Sequence, residues 1–167
     1  MAVDTKNLHP IVKDLMEKFV AEAKAKGINL MITQAYRSKA EQDALYAQGR
    51  TTKGKIVTNA RGGYSNHNYG LAFDFVPLVG NKAVWDSHSP LWGKLGEIGE
   101  ALGLSWGGRW RPFVDLPHLE KTFNLSVAEL AKGKRPPNVA KVANPEELKG
   151  LTEKQLIRTK VGIYKIV

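Results

Sequence analysis

Three side chains in this sequence have the chemistry to hold one metal ion: His67, Asp74 and His118. The first two stand in Ser65-Asn-His67-Asn-Tyr-Gly70-Leu-Ala72-Phe-Asp74, and the third in Asp115-Leu-Pro-His118-Leu-Glu120. Two imidazoles and one carboxylate make a three-ligand zinc site with its fourth position open. Asp115 is then a carboxylate near the metal that need not bind it. An open metal site beside a free carboxylate is the layout of a metal-assisted hydrolase.

These residues need elements to hold them. Leu71, Phe73 and Phe75 alternate with Gly70, Ala72, Asp74 and Val76, which predicts a strand over Gly70 to Val76 with Asp74 opposite the phenylalanines. A carboxylate flanked by Ala and Val inside a strand is costly to bury unless paired or metal-bound. His67 lies just before that strand, where a loop can fold it back toward Asp74. Alone, the two fit a structural His–Asp hydrogen bond equally well; His118 turns the reading toward metal. If residues 118 to 120 are extended, His118 and Glu120 share a face. Glu120 is then either an orienting partner for the site or a surface carboxylate.

The rest of the chain reads as a scaffold. Pro10 opens a first helix whose apolar stripe runs from Ile11 to Ala23 and stops at Gly27. His9, at its mouth, reads as a surface residue. Ile28, Leu30 and Ile32 mark a strand ending in Gln34-Ala-Tyr36-Arg37-Ser38. Ser38 and Glu41 then have capping-box spacing for a second helix. Arg37 sits at that junction, where it either faces a cleft or pairs with a surface carboxylate. Residues 50 to 64 read as a loop with room for a short strand at Ile56-Val57. A hairpin turns at Gly80-Asn81. Ser89-Pro90 starts a third helix with Leu91, Leu95, Ile98 and Leu102 as its buried stripe, and His88 before it reads as a plain loop histidine. Trp106 is assigned to the core and Trp110 to the rim of a site. Ser126 and Glu129 cap a short helix ending near Gly133. Residues 134 to 145 read as a linker, and 155 to 167 as one or two strands.

Composition sets the limits. The chain has 167 residues, 43% of them hydrophobic, enough for one core. It has no cysteine, which excludes disulfides and thiolate metal sites. The net charge of +9 favours an anionic partner such as nucleic acid, acidic lipid or an acidic wall polymer, or simply keeps the protein soluble. The lysines are scattered, and no basic run with interleaved aromatics suggests a nucleic-acid groove. Neither a signal peptide nor a transmembrane segment is visible, so synthesis in the cytoplasm is expected.

Ser65-x-His67-x-x-Gly70-x-Ala72-x-Asp74, followed by Asp115-x-x-His118 and preceded by Tyr36-Arg37-Ser38, resembles the zinc peptidases that include D-Ala-D-Ala carboxypeptidases and dipeptidases. Within them it is most similar to the L-alanyl-D-glutamate endopeptidases, cell-wall lytic enzymes of phages and of their Gram-positive hosts. The resemblance covers roughly residues 5 to 125.

It implies an α+β fold, a small antiparallel sheet with helices packed on one side and a central zinc cleft. Residues 1–133 would be the catalytic domain, and 134–167 a linker and short segment too small for a second domain. It implies one zinc ion held by His67, Asp74 and His118, Asp115 as the catalytic carboxylate, and Arg37 facing the substrate and its developing oxyanion. Ser65 stands at a position that looks like a substrate contact, and Trp110 is expected to join it. Many relatives carry Glu where this chain has Asp115, but the endopeptidase branch uses Asp. The implied function is a phage endolysin that cuts the peptidoglycan stem peptide at L-Ala–D-Glu, acting as a monomer on the wall after release. Phage lysins often add a wall-binding domain, and here the basic charge takes its place or the chain is a shortened form. Two other readings stand beside this one: a D-Ala-D-Ala carboxypeptidase or dipeptidase, and a zinc-containing wall- or glycan-binding module without turnover.

Overall fold

The computed structural model describes residues 2–167. Helix α1 (Pro10–Ala25) forms where the stripe predicts, with Ile11, Val12, Leu15, Met16, Phe19 and Ala23 buried. His9 is not the surface residue expected. Its Nδ1 accepts from the Ile11 amide at 3.3 Å, capping the helix, and its Nε2 donates to Pro137 O at 3.0 Å. Helix α2 (Lys39–Ala47) carries the full Ser38/Glu41 capping box. Helix α3 (Pro90–Ala101) is capped by Ser89, and α4 (Val127–Ala131) by a second capping box from Ser126 and Glu129.

The main sheet is antiparallel throughout. It comprises β1 (Asn29–Gln34), β2 (Ala72–Val79), β3 (Lys82–Ala83), β4 (Ser105–Trp106) and β5 (His118–Glu120), in the order β1-β2-β5-β4 with β3 against β2. The turn joining β2 to β3 is the expected Gly80-Asn81. The expected strand at Ile56-Val57 does not form; both side chains are exposed, and no partner strand is there to pair them.

Helices α1 and α3 cover one face of this sheet. Phe19 packs on Phe73 and Phe75 at 5.9 and 5.2 Å between ring centres, and Trp92 packs on Phe75 at 5.6 Å. Each fully buried side chain of this kind contributes about 1.5–3 kcal/mol. Trp92, absent from the expected α3 stripe, is buried, whereas Leu91 is only half-buried. Gly96 lets α3 approach the sheet: a Cβ there would lie 2.2 Å from the Trp106 ring. Gly96→Ala is therefore expected to destabilise the protein by about 1–3 kcal/mol, the usual cost of overpacking. A urea midpoint unchanged from the parent protein would contradict that packing.

Residues 134–145 are not a bare linker. They contain β6 (Val139–Lys141), which pairs with β8 (Gly162–Ile166), itself paired with β7 (Leu156–Thr159). This three-stranded sheet lies against α1. Tyr164 is fully buried in the common core, its hydroxyl bonds Asp14, and Lys141 Nζ meets the same carboxylate at 3.1 Å.

Candidate metal centre and active-site cleft

The other face of the main sheet carries the site. Register puts Gln34 of β1 and His118 of β5 directly opposite Asp74 of β2. Alternation turns Phe73 and Phe75 to the helices and Asp74 to the opposite face. His67 comes from a 3-10 turn, Asn66–Tyr69, just before β2. Ser65 caps that turn, its Oγ accepting the His67 amide at 3.3 Å. Gly70 closes the turn in the left-handed conformation at φ 68°, and a Cβ there would lie 2.4 Å from Asn7 O. The chain thus reverses sharply enough to return His67 over Asp74.

His67 Nε2 and His118 Nδ1 each lie 3.2 Å from Asp74 Oδ1, and the donor atoms of the three residues all fall within 4.8 Å of one another. Donors that hold a zinc ion tetrahedrally at about 2.0–2.2 Å must sit about 3.3 Å apart. The set therefore fits a divalent metal. The far nitrogen of each imidazole is fixed as well. His67 Nδ1 donates to Ala35 O at 2.7 Å, which leaves Nε2 as the lone-pair nitrogen. His118 Nε2 donates to Glu120 Oε2 at 2.7 Å, which leaves Nδ1 free to bind. Asn66 Nδ2 donates to the same Glu120 oxygen at 2.8 Å.

The electrostatics agree. Burial disfavours a charged His118, but its hydrogen bonds to Asp74 and Glu120 outweigh that and raise its pKa to about 10. Burial likewise opposes ionisation of Asp74, and the two histidines overcome it, holding the carboxyl well below the usual range. A metal ion between these groups would supply the positive charge they stabilise, displacing the proton that His118 Nδ1 otherwise shares with Asp74. Glu120→Gln keeps the shape and removes the charge behind His118. Loss of such an orienting partner typically costs about 10–100-fold in metal affinity or activity. That loss is expected in a chelator competition, and unchanged affinity would make Glu120 a bystander.

The remaining candidates line the same cleft, which has a volume of about 530 Å³. Asp115 is one of them, outside the three-residue donor set. Its amide donates to Gly107 O at 3.0 Å and its carbonyl accepts from the His118 amide at 3.3 Å, so the turn into β5 fixes it. Partial burial of its carboxyl raises its pKa above the ordinary value; the neighbouring imidazole of His118 opposes this and the Asp74 charge adds to it. Arg37 is also on the cleft wall, held by Gln42 Oε1 at 2.8 Å and Gln34 Oε1 at 3.4 Å, with its Nε buried and unpartnered among protein atoms. Its amide donates to His67 O at 3.1 Å, which ties the β1–α2 junction to the metal turn. Trp110 is half-buried, its ring 5.0 Å from that of His118. Trp106 is in the core, donating to Leu116 O at 2.8 Å. His88 is an exposed loop residue beside Asp86.

Sequence reading missed the amide side chains that hold this arrangement. Gln42 is fully buried and reaches Ala60 O at 2.8 Å as well as Arg37. Asn68 donates to Arg37 O at 2.8 Å and accepts from the Gly63 amide at 2.9 Å. Gln42 had a signal, being a polar residue on the inner side of a capped helix; Asn68 had none.

A family model described as D-alanyl-D-alanine carboxypeptidase, a peptidase family of the M15 type, matches residues 58–121, the stretch holding His67, Asp74, Asp115 and His118. Peptidoglycan L-alanyl-D-glutamate endopeptidase CwlK of Bacillus subtilis (strain 168) is 48% identical over 122 residues, covering 68% of this chain and 73% of that protein. The chain belongs to the M15 peptidase family. Another relative, the L-alanyl-D-glutamate peptidase of Listeria phage A118, is 30% identical over 109 residues, 65% of this chain but only 36% of the phage protein. The family fold recurs in two solved structures. The L-Ala D-Glu endopeptidase ChiX of Serratia marcescens superposes with a TM-score of 0.54 at 18% identity, over 72% of this chain and 84% of that one. The LD-carboxypeptidase LdcB gives 0.53 at 22% identity, over 79% and 73%. Both support the α+β architecture of an antiparallel sheet with helices. Among the described residues, no helix is long and apolar enough to cross a membrane.

Proposed function

We propose that this protein is a zinc-dependent peptidoglycan peptidase that cuts the stem peptide between L-Ala and D-Glu. The observation that carries the reading is the convergence of His67, Asp74 and His118 in an open cleft, with the Asp115 carboxyl beside them but outside the donor set. The 48% identical relative, a peptidoglycan L-alanyl-D-glutamate endopeptidase, supports the choice of bond. His67, Asp74 and His118 would hold one zinc ion, a metal suited to imidazole and carboxylate ligands.

When bound, zinc supplies Lewis acidity, polarising a carbonyl and bringing the pKa of water down to about 7. The chain's own groups do the rest. Asp115 accepts the proton that water loses as it attacks and passes it to the leaving amine. A carboxyl raised by burial is better matched to that return step than an ordinary aspartate. Arg37, clamped by Gln34 and Gln42, directs its cation at the charge growing on the amide oxygen. Ser65 holds the turn that carries His67, and Trp110 offers an apolar wall beside the substrate. A wall-binding module without turnover has no use for a free carboxylate at that place. A carboxypeptidase needs a pocket closed around a terminal carboxylate, whereas this cleft adjoins a second groove across Thr58, Ala60 and Tyr64.

The test is to digest purified wall and label the amino groups that appear. New amino-terminal D-Glu is expected; released D-Ala would instead make the protein a carboxypeptidase. The proposal extends to host lysis by a phage, after release of a monomeric protein from the cytoplasm, and rests there on the phage relative. It also gives the +9 charge a purpose, attraction to anionic wall polymers. Exposed charges are screened beyond about 8 Å at physiological salt. Binding to intact walls should weaken as salt rises while cleavage of a small soluble muropeptide changes little. Equal salt sensitivity for both would remove the electrostatic anchor.

A further inference from the structure

Large apolar side chains are exposed on the two loops that flank the cleft. Ile56, Val57 and Tyr64 lie on one loop, and Phe113 and Val114 on the other; Phe113 is 78% exposed and Tyr64 55%. Such a cluster is costly to leave in water and commonly marks a binding surface. Between the loops runs a groove of about 660 Å³, lined by Thr58, Asn59, Ala60, Arg61, Tyr64 and Phe113. Thr58, Ala60 and Tyr64 also line the metal cleft, so the two spaces adjoin across these residues.

The loop bearing Tyr64 is rigid without help from that side chain. Arg50 donates to Thr58 O at 3.0 Å and Asn59 Oδ1 at 2.9 Å, and Gln42 donates to Ala60 O at 2.8 Å. The Gly62 amide donates to Asp43 at 2.7 Å, and the Tyr69 hydroxyl to Gly63 O at 2.7 Å. The Tyr64 ring therefore serves no visible structural end. It stands on a preorganised wall, where little entropy is lost on binding.

Resting on the proposed cleavage between L-Ala and D-Glu, we propose that this groove binds the amino-sugar chain to which the stem peptide is attached. Substrate chemistry selects this occupant. On the amino side of the scissile bond a single alanine separates the reacting carbonyl from the lactyl ether of the sugar. A groove that adjoins the metal cleft on that side would meet sugar, not more peptide. On the other side the stem peptide is rich in carboxylates and would need free cations. The groove offers one cation, Arg61, whose guanidinium already lies 5.0 Å over the Tyr46 ring. Aromatic rings at Tyr64 and Phe113, with Thr58 and the Asn59 amide nitrogen in the same lining, instead match a pyranose: an apolar C–H face for the rings, and hydroxyl and acetamido groups for the polar side chains.

The experiment uses the full chain and two probes. The first is the peptide-free N-acetylglucosamine–N-acetylmuramic acid disaccharide, titrated by NMR. Binding that perturbs the Phe113 ring and is lost in Phe113→Ala but retained in Phe113→Tyr is expected; no binding, or binding indifferent to Phe113→Ala, would overturn the proposal. The second compares cleavage of a disaccharide-bearing stem peptide with that of the free stem peptide. Phe113→Ala should lower kcat/KM on the former by roughly 3- to 10-fold, the scale of one lost aromatic contact, through KM. An equal loss on both substrates would give the groove to peptide and overturn the assignment. Failure of the parent protein to cut either substrate would sink the proposed function, while the disaccharide titration would still decide the groove.

Discussion

Asp115→Asn is expected to yield a folded, metal-loaded protein with turnover reduced by about 10²–10⁴-fold, the usual contribution of a general acid–base group. The substitution keeps the side chain's size and removes its basicity. The neighbouring structure should not change, because the backbone anchors this position: its amide bonds Gly107 O and its carbonyl receives the His118 amide. Metal should stay because Asp115 is outside the converging donor set. Metal content and peptide cleavage must be measured on one preparation. Full activity would remove Asp115 from the mechanism, and joint loss of metal and activity would make it a ligand.

His118→Ala should have the larger effect, abolishing both metal binding and cleavage. Two donors remain, and Asp74 loses one of the two imidazoles that offset its burial. Stability at neutral pH should also fall, because a buried carboxylate is left with fewer partners. The predicted result is protein that loses its metal on dialysis, an effect beyond the roughly 10–100-fold loss typical when only an orienting partner of a ligand is removed. Stoichiometric zinc in this variant would strike His118 from the site.

Local chemistry and long-range contacts leave different marks in this sequence. Caps are local chemistry, so Ser38 with Glu41, Ser89 with Pro90 and Ser126 with Glu129 marked their helices directly. Phe73 and Phe75 alternate with Asp74 because β2 has a helix-covered face and a site face, and that period is visible in the chain. The metal set could be guessed because no cysteine competes and few histidines remain.

Long-range contacts were another matter. β6 is three residues with no alternation, and only pairing with β8 makes it a strand. His9 looked like surface because its partner, Pro137, is 128 positions away. The Asn66–Glu120 bond, which holds the Glu120 carboxylate where His118 donates to it, depends on β2 and β5 lying side by side. The clamp on Arg37 needs Gln34 and Gln42 from two elements, and its choice between cleft and surface was undecidable from neighbours alone. Trp92 and Gly96 share the helical spacing of Leu95 and Gly99 on the buried face of α3, but a glycine gives no apolar signal and a stripe begun at Leu91 passes Trp92 by.

One bound metal is expected to let this cleft cut between L-Ala and D-Glu. The most direct measurement is mass spectrometry of a defined muropeptide after incubation with zinc-loaded and with chelator-stripped protein. The loaded protein should release a fragment ending in L-Ala and a peptide beginning with D-Glu, and the stripped protein neither. Loss of D-Ala alone, or equal cleavage with the metal removed, would contradict it.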